Sequence, residues 1–319
     1  MKKTNLFAFA MLLMMATFTG CQKSDAVVLG IVSTSEVENF YGRNVEVCFA
    51  NSTKMYFHLL SDSTAEVVNY LHYYTESNAS DAWAYRGDIV IPDRFIHDGK
   101  TYKVTCIGEG AFKASTQNHE VVSLVSSVEM PNTIDTIRNR AFTACVHLVS
   151  IDIPNSVKYI GDSAFADSGL TSVTIPNQAC SWGSGVFSGT CINSVVIPES
   201  MEKIPFSMFS MFPSLASVTL HDHVTTICDG AFYDSGLTSF EIPASVNYLG
   251  VNPLGDCSSL TTLVCLPTTP PMKDPGSHYF EDYFMLSSAI KRIIVPAQSV
   301  DLYKENHFWR LYKDIIVGM

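Results

Sequence analysis

A phenylalanine returns along this chain at a nearly fixed interval: Phe112, Phe142, Phe165, Phe187, Phe209 and Phe232, with Leu254 in the same place one step later. The intervals are 30, 23, 22, 22, 23 and 22 residues, so one insertion follows the first copy and the others keep register. The text around each Phe recurs too, as Ile137-Arg138-Asn139-Arg140-Ala141-Phe142, Ile160-Gly161-Asp162-Ser163-Ala164-Phe165 and Ile227-Cys228-Asp229-Gly230-Ala231-Phe232. A period of this length marks a solenoid, in which no single unit can bury its apolar side except against its neighbours.

One copy, Leu148 to Phe165, shows how a coil is made. Leu148, Ile151 and Ile153 have the L-x-x-I-x-I spacing, and the last two alternate with Ser150 and Asp152, the period-2 pattern of a strand with one face buried. Pro154 ends that strand because it has no amide for the next ladder position. Asn155-Ser156 turns the chain, and Val157 and Ile160 predict a second short strand on the opposite side of the coil. Gly161-Asp162-Ser163 makes the next corner, and Ala164-Phe165 turns inward. Stacked coils should pair like strands in parallel without an internal edge. Phe112, Phe142, Phe165, Phe187, Phe209, Phe232 and Leu254 should form a column inside, with Trp182 where other copies carry Ile.

The ends read differently. Lys2 and Lys3 precede an apolar run from Leu6 to Phe18, which is too short to span a bilayer and has the layout of a signal peptide over residues 1–20. Phe18-Thr19-Gly20-Cys21 resembles a bacterial lipobox, which implies cleavage before Cys21 and lipid on its thiol. Gln22, rather than Asp, follows it and favours an outer-membrane address. Residues 21–44 read as tether and 45–106 as an N-terminal β-hairpin cap. Lys54 to Leu60 and Thr64 to Asn69 form one hairpin, and Asp88 to Pro92 with Tyr102 to Val104 a second. The solenoid occupies 107–267. An irregular Pro-rich stretch, a last repeat with strand Arg292 to Val295, and a capping helix from Val300 to Tyr312 fill 268–319.

The cluster Ile153-Pro154-Asn155-Ser156-Val157 through Ile160-Gly161 to Ala164-Phe165, repeated with variations in every copy, resembles the BspA-like leucine-rich repeats of surface proteins from Bacteroidetes and some other microbes. That resemblance covers roughly residues 87 to 315 and implies a β-rich solenoid of parallel strands with extracellular, non-enzymatic binding as its role. Pro205 in place of the corner Gly, and His221 in place of the strand-ending Pro, are its departures.

Charge and chemistry narrow the function further. A formal charge of −11 argues against nucleic acid, which selects a basic face. The cysteines match no C-x-x-C pattern, and Cys145 and Cys257 each fall three residues after a Phe-column position, as small fillers would. His221-Asp222-His223 lacks a third ligand at a useful spacing, so no metal or cofactor is expected. Glu129 and Asp152 put two carboxylates on adjacent coils without a nucleophile beside them. Arg86-Gly87-Asp88 spells an integrin-recognition tripeptide, but Gly87-Asp88 also suits entry into the first strand.

The outward strand positions form the candidate surface. Ser127, Ser150, Ser172, Ser194, Ser217, Ser239 and Thr262 make one column, and Glu129, Asp152, Thr174, Thr219 and Glu241 lie in the next. Such a ladder is either a packing habit of crowded strands or a binding face. The expected partner is an extracellular protein or glycan, met by a monomer held to the membrane through Cys21 alone. A surface scaffold without a ligand of its own, and an exported enzyme, remain alternatives.

Overall fold

In the computed structural model the described residues are 31–37, 43–49, 54–69, 85–117, 120–122, 124–177, 181–277 and 286–319. The signal segment, Cys21, Cys180 and the start of the last repeat at Phe284 lie outside them. The described chain is a right prism of stacked coils with three walls. The first wall consists of the outward strands, such as Ser150–Asp152 paired in parallel with Ser172–Thr174. In the second, Thr136–Ile137, Tyr159–Ile160 and Ser181–Trp182 pair in parallel in succession. The third wall is the Phe segment, whose amides bond from coil to coil: Phe142 N–H to Ala164 O at 2.7 Å, and Phe165 N–H to Val186 O at 2.9 Å.

The Phe rings fill the axis. Phe142, Phe165, Phe187, Phe209 and Phe232 are wholly buried, and adjacent rings from Phe112 to Phe232 lie nearly parallel. Sharp backbone corners on both sides drive each ring inward. The residue two before Phe has positive φ in Gly110, Arg140, Ser163, Gly185, Ser207 and Gly230, and the residue two after has it in Ala144, Asp167, Gly189, Met211 and Asp234. Left-handed backbone of this kind suits Gly, Asn and Asp and costs other residues energy.

The N-terminal cap is a larger sheet than the sequence predicts. Strands β1 (Ile31–Val37), β2 (Asn44–Phe49), β3 (Lys54–Leu59) and β4 (Thr64–Val68) form an antiparallel meander. Residues 31–37, read as tether, are therefore its outermost strand. The first expected hairpin, around Ser61-Asp62-Ser63, is present between β3 and β4. The second is shifted. Strand β5 (Gly87–Val90) alternates like a repeat strand and pairs in parallel with Val125–Glu129, while β6 (Arg94–His97) turns back into β7 (Lys100–Ile107). The alternation in β6, with Phe95 and His97 inward, makes it the better hairpin arm. Strand β7 also pairs in parallel with β4 and with Thr136–Ile137, so the cap runs directly into the second wall. At that junction Arg138 Nε donates to the buried carboxylate of Glu66 at 2.8 Å. The insertion behind the 30-residue first interval forms its own small hairpin, Ser115–Gln117 against Glu120–Val122.

The C-terminal end also departs from expectation. Within the Pro-rich stretch, Met272–Lys273 adds a rung to the second wall by pairing with Tyr248–Leu249. The helix α1 is only Val300–Glu305; Asn306 leaves it with extended backbone and its side chain accepts the Phe308 amide at 3.0 Å, opening a 3-10 turn over Trp309–Ile315. Bending there lets Tyr303 and Trp309 both reach the core, where their polar tips donate to the carbonyls of Pro267 and Pro271. The chain then adds Ile316–Gly318 as a parallel strand beside Arg292–Val295, covering the last edge. Among the described residues, no helix is long and apolar enough to cross a membrane.

Candidate functional site

The first wall displays the hydroxyl column. Ser127, Ser150, Ser172, Ser194, Ser217 and Ser239 are exposed and Thr262 is half-buried, and Glu129, Asp152, Thr174, Thr219 and Glu241 in the next column are exposed too. Paired backbones hold these side chains in register: Ser150 beside Ser172, Ser194 beside Ser217, Ser239 beside Thr262, and Thr262 beside Arg292. The wall is not one unbroken ladder. It divides into four short sheets, because rungs of three residues offer few ladder bonds and one missed bond ends the pairing.

Within the described residues the hydroxyls of Ser150, Ser172, Ser194, Ser217 and Ser239 bond to no protein group. Ser127 is the exception, donating to Asp88 Oδ1 at 2.7 Å. Mutual bonding along the column therefore does not account for it. Near the middle stands Val196, 73% exposed, giving the polar face one apolar point. Glu129 and Asp152 belong to different short sheets and both face solvent. The tripeptide Arg86-Gly87-Asp88 runs into strand β5 rather than around a loop tip, with the Gly87 amide bonded to Leu124 O and Asp88 engaged by Ser127.

A second concavity opens on the second wall, and proline makes it. In most coils the residue after the second short strand donates its amide to the previous coil: Gly161 to Ile137 O, Gly183 to Ile160 O, Cys228 to Ile204 O and Gly250 to Ile227 O. Position 205 is Pro, which has no amide, and the wall divides between Ser181–Trp182 and Lys203–Ile204. A cleft of about 440 Å³ lies there, lined by Trp182, Lys203, Phe206, Cys228, Asp229 and Asp274 among others. Three of its charged groups already have partners: Lys203 Nζ lies 3.4 Å from Asp274 Oδ2, while Asp229 accepts from the Val251 amide and the Ser277 hydroxyl. Burial pushes the Cys228 thiol up to about 12 against the pull of Lys203, so it stays protonated. Pro205 stood out in the sequence as a departure from Gly; read as a missing ladder donor, it locates this cleft.

The histidine pair is structural. His221 Nε2 donates to Pro198 O at 2.7 Å and its Nδ1 accepts the His223 amide at 3.0 Å, so both ring nitrogens serve the turn that proline makes in other copies. The described residues that converge as metal ligands are instead Glu36, His97 and Asp98, at the outer edge of the cap. Sequence spacing misses this group because Glu36 lies on β1, far from the β6–β7 turn. The seven described cysteines are free thiols. Cys145 and Cys257 donate to the carbonyls of Phe112 and Phe232, which explains their repeated position after the Phe column.

This stack of parallel rungs, with Phe-turn corners and an aromatic axis, is that of a leucine-rich repeat solenoid. The chain belongs to the BspA type leucine rich repeat region family, whose pattern matches residues 107–210 and 181–312 in 6 copies. A leucine rich cell surface protein from Faecalibacterium prausnitzii has a similar structure at 25% identity and a TM-score of 0.50, over 77% of this chain and 70% of that one. A leucine-rich repeat protein from Bacteroides ovatus shares the fold at 22% identity and a TM-score of 0.50, over 76% of this chain and 69% of its own. No curated protein matches the sequence.

Proposed function

We propose that this chain is a lipid-anchored, non-enzymatic binding protein of the outer membrane that engages an extended extracellular protein or glycan across its first wall. The observation that carries the reading is the column of exposed hydroxyls at Ser150, Ser172, Ser194, Ser217 and Ser239, which no group among the described residues uses. A flat face of short polar side chains, repeated at about 4.8 Å per coil, suits a partner that touches several rungs better than a small metabolite in a pocket. Cell-surface placement is supported by the similarity to the F. prausnitzii cell surface protein and by the lipobox-like junction at Cys21.

The soluble form beginning after Cys21, applied to immobilised matrix proteins and mucin glycans, should show saturable binding. Lysine at Glu129, Asp152 and Glu241 together should abolish it. Absence of saturable binding to either class would favour the scaffold reading.

A further inference from the structure

We propose that Glu36, His97 and Asp98 form a binding site for a divalent transition metal of the Zn2+ class, which fastens the outermost strand of the cap to the β6–β7 turn. One atom from each residue lies within 4.8 Å of the others. The imidazole is the key. His97 is only 3% exposed, and its Nε2 is buried without a hydrogen-bond partner among the described residues, a costly state for a ring nitrogen. That nitrogen faces Asp98 Oδ2 at 3.5 Å and Glu36 Oε1 at 3.8 Å.

The other side of the ring fixes what Nε2 has to offer. When the Thr34 hydroxyl turns to Ile96 O, 3.4 Å away, it has only its lone pairs for the ring nitrogen Nδ1, 3.1 Å away. Nδ1 is then the protonated nitrogen, and Nε2 presents a lone pair to two carboxylates. Two anionic oxygens and an imidazole lone pair converging on one point repel one another unless a cation lies between them. An imidazolium would also be held by the two carboxylates, 3.5 and 3.8 Å away, so Zn2+ competes with a proton for Nε2. Ligand atoms on tetrahedral Zn2+ sit about 3.3 Å apart, given bonds of about 2.0–2.1 Å, so the two spacings to Nε2 need to close only slightly, and the exposed carboxylates can swing to close the third.

A neutral imidazole with its second nitrogen tied to a hydroxyl is the outer-shell arrangement that orients metal-bound histidine. An imidazole donor also favours Zn2+ over Ca2+ or Mg2+, which take oxygen ligands. Both carboxylates are exposed, so the remaining coordination positions open to water or to an acceptor from outside.

The test is titration of the full chain with Zn2+ against a chromophoric chelator, alongside Glu36→Gln, Asp98→Asn and His97→Gln. Asp98 has φ +49°, which Asn also tolerates, and Glu36 is exposed, so the first two variants should fold even if loss of the buried imidazole loosens the cap. One equivalent of Zn2+ should bind with a rise in Tm, and each exposed variant should weaken binding at least tenfold. Ca2+ should raise Tm little. Zn2+ affinity unchanged in the Glu36→Gln/Asp98→Asn double variant, or an equal response to Ca2+, would overturn the assignment.

Discussion

The rings of Phe142 and Phe165 lie 1° from parallel with their centroids 5.1 Å apart. Free aromatic pairs usually adopt offset or edge-on geometries; here coil spacing sets the stack, because successive backbones are hydrogen-bonded and each ring hangs from the same corner. The column is thus a consequence of register, and every internal ring has close neighbours on both sides.

Phe165→Ala and Phe209→Ala should therefore each destabilise the protein by about 3–5 kcal/mol, the range for large aromatic truncations in a core. Ser172→Ala, on the exposed wall, should change stability by less than about 0.5 kcal/mol. Urea melts with unchanged slopes would check both; Phe variants as stable as the parent would contradict the stacked register.

The corners make opposite predictions for two residues. Met211 sits at φ +57° with its side chain half exposed, so Met211→Gly should stabilise by about 1 kcal/mol through relief of left-handed strain. At Gly250 a Cβ would lie 2.1 Å from the Asp229 backbone nitrogen, so Gly250→Ala must push coils apart and lower the melting temperature. A Gly250→Ala protein that melts like the parent would mean the coils are spaced more loosely than the structure shows.

Thiol reactivity should follow burial. Burial, reinforced by the Glu66 charge, raises the Cys106 thiol to about 12, and burial raises Cys228 to about 12 despite Lys203. At pH 8 both remain thiols, and alkylation mapped by mass spectrometry should leave them unlabelled in folded protein while exposed Cys191 reacts. Labelling of Cys228 as fast as Cys191 would show that the Pro205 cleft exposes it.

Much of this fold is legible because its signals repeat. The Phe interval, the Ile-Pro strand ends and the corner Gly recur often enough to set the number of coils, the two strands of each coil and the buried column, whereas the third wall, made by the amides of the Phe segment, shows only in the structure. The ends carry no such repetition. Strand β5 reads as a hairpin arm because Gly87-Asp88-Ile89-Val90 fits either partner, and only pairing with Val125–Glu129 decides. The C-terminal helix ended early because burial of Trp309 outweighed helical periodicity. At the candidate face the residues were readable, but whether their hydroxyls were used by neighbours was not. The Glu36–His97–Asp98 group was invisible for a simpler reason: long-range sheet pairing brings it together.

Acid should weaken the cap in a residue-specific way. Burial disfavours the Glu46 carboxylate, but hydrogen bonds from Lys54, Tyr56 and Cys48 outweigh it and hold the pKa below its ordinary value. A folded pKa below the unfolded one means the folded state binds fewer protons. Its stabilisation is present above the unfolded value and is lost as pH falls through the folded value. The Tm gap between the parent and Glu46→Gln should shrink from pH 7 towards pH 3; a constant or widening gap would contradict this.

Tryptophan at Ser172, Ser194 and Ser217 together tests the working face most directly. These three rungs lie at the centre of the wall, and their exposed side chains bear no part of the core. Once a saturable partner is in hand, the triple variant, verified as folded by circular dichroism, should lose its binding while single substitutions change it little. A folded triple variant that binds as well as the parent would place the site elsewhere, with the N-terminal segment before Asp88 the next surface to test.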